Sequence, residues 1–180
     1  MSFPSYPVEA VSEKETKFIS QACHKSLGLR ADDIQFVGAN EMDVLIEVCR
    51  DSFLRIPRTI DPQPISEIDT RVVIITTALE ASDRYNVHSR CFAPRYGVIE
   101  DPVTGSAHCA IGPYWINKLG LPVDHWLYAQ QGGTRQGSLA VRLEGERVLL
   151  RGKVIPTIIG RLSNEITRDI QAKLDFNRGG

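Results

Sequence analysis

The residue types able to do chemistry concentrate in one stretch, Arg95 to Trp115. Two acids, Glu100 and Asp101, stand ahead of Pro102 and a Thr104-Gly105-Ser106 step, and an apolar run follows. Pro102 fixes its own φ and biases Asp101 away from helical geometry, so no helix begins before the acid pair. Beyond Ser106, the residues Ala107, Ala110, Ile111, Tyr114, Trp115 and Leu119 recur at three- and four-residue steps. This predicts a helix from about Gly105 to Leu119, with Gly120 as its stop. The first amides of that helix, at Gly105, Ser106 and Ala107, lack internal partners, and the helix dipole favours an anion there. Gly105 lets a ligand come close to the backbone, and Ser106 adds a hydroxyl. A small carboxylate held at Gly105-Ser106 would lie beside Asp101, whose side chain can act as general base or acid on a bound carbon acid. The plain alternative makes Asp101 a helix cap and Gly-Ser a turn.

The segment Glu100 to Cys109, preceded by Ser89-Arg90-Cys91-Phe92-Ala93-Pro94, resembles the signature of the PhzF family. These are phenazine biosynthesis-like proteins, related in fold to diaminopimelate epimerase. Phe3-Pro4 is similar to the opening of the family's second half. Gln131 to Gly137 is similar to a later Gln-x-Ser-x-Arg-Gly-Gly stretch, with Gly133 in place of the Ser and Gln136 in place of the first Gly. The likeness runs from about residue 3 to about residue 162 and covers only the second half of the family's architecture.

The resemblance implies an α+β fold, a curved sheet or barrel wrapped round a central helix. It also implies a cofactor-independent isomerase that moves a proton on a small carboxylate substrate, with the active site in a cleft between two similar domains. Asp101 would help move or position the proton, at the place where related epimerases put a catalytic thiol. The amides of Gly105 and Ser106 would hold the substrate carboxylate. The first domain supplies a catalytic Glu in a Glu-Thr-x-Phe context, together with its own binding amides, and must come from elsewhere. Glu15-Thr16-Lys17-Phe18 spells that context but falls in a surface helix of the wrong half, so it reads as coincidence. A homodimer or a second PhzF-like half is the expected partner, since the missing half would leave an apolar face exposed. The alternative function is a non-catalytic binding protein that keeps the fold and the anion-binding turn.

Composition sets the outer bounds. The 180 residues carry a net charge of −1, which gives no sign of a nucleic-acid surface. No apolar run is long enough to span a bilayer, and residues 1–10 have neither the basic head nor the apolar core of a signal peptide. Cys23, Cys49, Cys91 and Cys109 are scattered without a Cys-x-x-Cys pair, which suits reduced thiols in a cytoplasmic protein. No metal-ligand spacing occurs; His24 lacks a second ligand and reads as a partly buried, hydrogen-bonded histidine.

The remaining segments must position the acid loop. Residues 1–11 read as extended, with Pro4 and Pro7 excluding helix. Ser12 and Glu15 form a capping box for a helix whose stripe is Phe18, Ile19, Ala22, Cys23 and Leu27, closed by Gly28. Ile34 to Val37 and Val44 to Cys49 read as strands, Phe53 to Ile56 as a third, and residues 57–66 as a loop. Arg71 to Leu79 reads as a central strand buried on both faces. Tyr85 to Phe92 reads as a strand with Val87, Ser89 and Cys91 on one face and His88, Arg90 and Phe92 on the other.

The helix carrying Gly112-Pro113 is apolar nearly all round and predicted to be buried. His108 and Cys109 offer a proton relay or nucleophile on one side and simple packing on the other; adjacent residues diverge on a helix and do not make a dyad. Trp126 to Gln131 reads as a strand, and Leu139 to Leu143 with Val148 to Arg151 as a hairpin. Val154 to Ile159 reads as an edge strand interrupted by Pro156. Arg135 is a candidate for an anion or for Glu100. The domain is placed at 1–162, with a final helix at 163–176 and a tail.

Overall fold

The computed structural model describes residues 1–80, 83–122, 124–158 and 160. In chain order the elements are β1 (Ser2–Pro4), β2 (Glu9–Ala10), α1 (Glu13–Leu27), β3 (Ile34–Ala39), β4 (Asp43–Val48), α2 (Arg50–Arg55), α3 (Gln63–Ser66), β5 (Val72–Ala78), β6 (Val87–Ala93), β7 (Val98–Asp101), α4 (His108–Lys118), β8 (Leu127–Gln131), β9 (Gly137–Glu144) and β10 (Arg147–Gly152). The strands form one sheet in the order β1-β10-β9-β8-β6-β5-β4-β3-β2, with β7 paired to β6 off that path. The pairs β4–β5 and β6–β8 are parallel and the others antiparallel. The expected α+β class and the sheet curled round an apolar helix are both present.

Alternation along the central strands divides the core in two. Leu45, Val72, Ile74, Val87 and Cys91 face α4, together with Leu127, Val141, Val148 and Leu150 from the other arm of the sheet. Ile46, Val73, Ile75 and Phe92 point the opposite way, onto Ile19, Cys23 and Leu27 of α1 and onto Phe53 and Ile65. Side chains on successive strand residues leave on opposite faces, so β5 and β6 serve both cores.

The N-terminal residues close the open side of the curl. β1 pairs with β10 at one sheet edge and β2 pairs with β3 at the other, so the first ten residues run from edge to edge. The predicted single extended segment is therefore two short strands. Between them, Tyr6 N donates to Cys109 O at 2.9 Å, and Asn40 Nδ2 donates to Tyr6 O at 2.9 Å. The first bond also explains how α4 holds a proline. Pro113 has no N–H for the carbonyl of Cys109, four residues back, and Tyr6 satisfies that carbonyl instead. Gly112 has its own reason: a Cβ there would lie 2.4 Å from Val141 Cγ1, so only glycine lets α4 approach β9 this closely.

Several expectations change. Phe53 to Ile56 is not a strand but the end of α2 and its cap. Phe53 and Ile56 are buried at three-residue spacing while Leu54 is 66% exposed, which is helical periodicity. Within the expected 57–66 loop, Gln63–Ser66 makes a short helix that buries Pro64 and Ile65. Residues 154–158 carry no strand; Val154, Ile155 and Ile158 are exposed, and β1 already occupies the free edge of β10. The sheet has ten strands among the described residues. The predicted final helix at 163–176 lies outside the described residues. The capping box of α1, the left-handed Gly28 at its end and the β9–β10 hairpin are as expected, with the turn at Gly145-Glu146. No helix among the described residues is long and apolar enough to cross a membrane.

Candidate active site

Strand β6 ends at Ala93, a short turn at Pro94–Tyr96 and left-handed Gly97 reverse the chain, and β7 returns along β6. Asp101, the last residue of β7, stands opposite Cys91. Pro102 ends the strand, and the chain turns through Val103 to Ala107 into α4. The helix begins at His108, one turn later than the apolar pattern suggested; Gly105 to Ala107 form the turn that leads into it. Among the described residues, the amides of Gly105, Ser106 and Ala107 have no protein acceptor. The three donors expected from the sequence are there, on a turn in place of a first helical turn.

This turn is braced from below by Gln131, the fully buried last residue of β8. Its Nε2 donates to Asp101 O at 2.8 Å and to Thr104 Oγ1 at 2.9 Å, while its Oε1 accepts from Thr104 N at 2.9 Å. Thr104 Oγ1 donates to Asp101 Oδ2 at 2.6 Å. Asp101 is therefore held by a neighbouring hydroxyl on one oxygen, and it does not cap α4, whose N-cap position is Ala107. That excludes the plain capping role.

His108 and Cys109 belong to the packing. His108 is fully buried; its Nδ1 lies 2.8 Å from Thr104 O, which makes Nδ1 the donor. Among the described residues the other ring nitrogen is buried with no partner, and burial pushes the imidazole down to about 4, which favours the neutral ring. Cys109 is buried as well, and burial raises its thiol. Among the described residues neither side chain hydrogen-bonds Asp101.

The acid before Asp101 has a different task. Glu100 accepts from Arg90 Nε at 2.8 Å and from Arg90 Nη2 at 2.7 Å, and its Oε1 also accepts from Gly133 N at 2.9 Å. Arg90 Nη1 donates to Pro57 O at 2.9 Å. Glu100 is thus the partner of Arg90, and Arg135 stays exposed beside Pro102 and Thr134. The glycines after Gln131 are structural: Gly132 has φ +102, and a Cβ there would lie 2.0 Å from Arg135 O.

A cavity of about 340 Å³ opens next to Asp101. Its lining includes Val72, Cys91, Ala93, Tyr96 and Val98 as well as Asp101, Thr104 and Arg71. Arg71 and Gln131 were missed as site residues. Gln131 had a local signal, since it opens the Gln131-Gly132-Gly133 stretch; Arg71 had none, because its contacts with Ser106 and Asp43 span 35 and 28 residues.

A profile of the phenazine biosynthesis-like protein family, PhzC-PhzF, matches residues 1–160. The chain belongs to this family. It is 41% identical over 129 residues to an uncharacterized isomerase of Halalkalibacterium halodurans, covering 71% of this chain and 46% of that protein. It is 36% identical over 171 residues to an uncharacterized isomerase of Pseudomonas aeruginosa, covering 90% of this chain and 56% of the relative. A PhzF-family crystal structure from Enterococcus faecalis superposes with a TM-score of 0.67 at 26% identity, over 85% of this chain and 53% of the other. The PhzF-like chain thus spans about half the length of the curated relatives it matches.

Proposed function

We propose that this PhzF-like chain contributes one half of the active site of an isomerase that transfers a proton on a small carboxylate substrate without a cofactor. The observation that carries the reading is the turn itself. Asp101 and the unpaired amides of Gly105 and Ser106 lie within six residues of one another, on one rigid turn fixed by Gln131. A carboxylate bound by those amides presents its neighbouring carbon to Asp101, the one carboxylate lining the cavity. The glycine adds support. A Cβ at Gly105 would meet only Leu150 Cδ1, at 3.7 Å, and its backbone needs no left-handed conformation. The fold therefore does not require glycine there, and glycine leaves the backbone open to a ligand.

Where a proton leaves one face of the substrate and another is returned on the opposite face, a second acid/base opposite Asp101 is needed. In this reading a second PhzF-like half or a second copy of the chain supplies it and shuts water out of the cleft. The relatives described as isomerases, and their roughly doubled length, support both parts of the reading.

Asp101→Asn tests the role of the acid. Solvent deuterium wash-in is measured by mass spectrometry on a panel of small carboxylates, using the protein as isolated with its partners. The variant should lose wash-in by roughly 10²-fold or more while still binding the carboxylate. Unchanged wash-in removes Asp101 from the mechanism, and no wash-in by the unaltered protein on any carboxylate favours a binding protein.

A further inference from the structure

The cavity beside Asp101 has one cation in its wall, Arg71, and strand pairing dictates its place. Arg71 precedes β5, and its N–H donates to Met42 O at 2.8 Å. The parallel β4–β5 register then sets Asp43 opposite Val72, within reach of the guanidinium. Arg71 Nη2 donates to Asp43 Oδ2 at 2.6 Å, and Nη1 donates to Ser106 Oγ at 2.7 Å. The Asp43 side chain is 1% exposed and that of Arg71 is 30% exposed.

The pairing is incomplete. A guanidinium and a carboxylate at this range commonly meet through two parallel bonds. Among the described residues, Arg71 Nε and Asp43 Oδ1 are both buried without a partner, and the second Nη turns to Ser106. A buried ion pair is weak evidence of stabilisation, because desolvation offsets the attraction. What this pair does is fix the direction of an arginine. The result is a planar, permanently charged fork at the rim of a cavity whose walls include Val72, Ala93 and Val98. Such walls strengthen the pull of the cation on an anion. Ser106 links the two parts of the site: its oxygen accepts from Arg71, which leaves its own O–H to donate to a ligand.

We propose that Arg71, steadied by Asp43, is the charge partner of the substrate carboxylate and restricts this site to anions. The carboxylate is shared between the Arg71 guanidinium and the Gly105-Ser106 turn, and its carbon skeleton lies toward Asp101. This rests on the reading above that the carboxylate sits at the turn.

The test is an NMR titration of the ¹⁵N-labelled full chain with benzoate, with benzamide as the neutral counterpart, read at the Gly105 and Ser106 amides. The variant is Arg71→Gln combined with Asp43→Asn, so that no buried charge is left unpaired. Arg71→Met with Asp43→Leu is the apolar replacement if the first fails to fold, and thermal melts check both. Benzoate should shift both amides and benzamide should not. The double variant should bind benzoate about tenfold or more weakly while melting cooperatively. Undiminished benzoate shifts in a folded double variant overturn the role of Arg71 and leave the carboxylate at the turn. Benzoate that leaves both amides unmoved in the unaltered chain overturns both.

Discussion

The two flanks of the acid loop each carry an arginine paired with an acid, and they are built to opposite ends. On the Glu100 flank, Arg90 is 4% exposed, forms a two-pronged pair and reaches a main-chain carbonyl, while Gly133 N adds a further bond to Glu100. On the Gly105-Ser106 flank, among the described residues three amides are unpaired, the Arg71–Asp43 pair leaves two buried atoms unmatched, and a cavity opens. Stability is concentrated where hydrogen bonding is complete, and capacity for a ligand is concentrated where it is not.

The largest effect expected is on the closed flank. Arg90→Met strands Glu100 beside the sheet and should lower unfolding stability by about 3–5 kcal/mol, read by denaturant melts. Ser106→Ala, on the open flank, should stay within about 0.5 kcal/mol of the unaltered chain. Similar losses in the two variants would erase the contrast.

Two glycines sharpen it next. Gly132→Ala must hold φ +102 and place a Cβ 2.0 Å from a backbone oxygen, so a loss of about 1–3 kcal/mol is expected. Gly105→Ala meets nothing closer than 3.7 Å and should melt like the unaltered chain while losing carboxylate binding at the turn. A destabilised Gly105→Ala would assign that glycine to the fold.

The smallest effect is one of pH. His108, under the turn, is held neutral by burial, with its pKa pushed from 6.5 down to about 4. The unfolded chain therefore binds the proton first as pH falls. The stability tied to neutral His108 is present above pH 6.5 and is lost progressively between 6.5 and about 4. About 1–2 kcal/mol should disappear between pH 6.5 and 5, and His108→Asn should flatten that slope. An unchanged slope would mean that other groups carry it.

The local parts of this arrangement were legible in the sequence. Asp101, Gly105 and Ser106 were singled out by the Pro turn before an apolar helix together with the resemblance to the PhzF signature, although the helix starts a turn late. The helix α4, its glycine stop and the strands β5 and β6 were legible from their periodicity. Phe53 to Ile56 misled because four apolar residues fit two periods, and only the exposure of Leu54 decides between them. Nothing local announced the Arg71–Asp43 pair. Parallel pairing of β4 and β5 creates it, and parallel neighbours are joined by long connections that leave no short-range spacing to read. Gln131 was in view only as the start of a family-like glycine-containing stretch, because its partners Asp101 and Thr104 come from another strand's end.

The central claim is that this chain is half of a catalytic unit, and native mass spectrometry on the protein taken from its source tests it most directly. The account predicts a longer polypeptide, a stoichiometric second chain of similar size or a homodimer, each able to set a second acid/base opposite Asp101. A chain of this length found only as a monomer would contradict it.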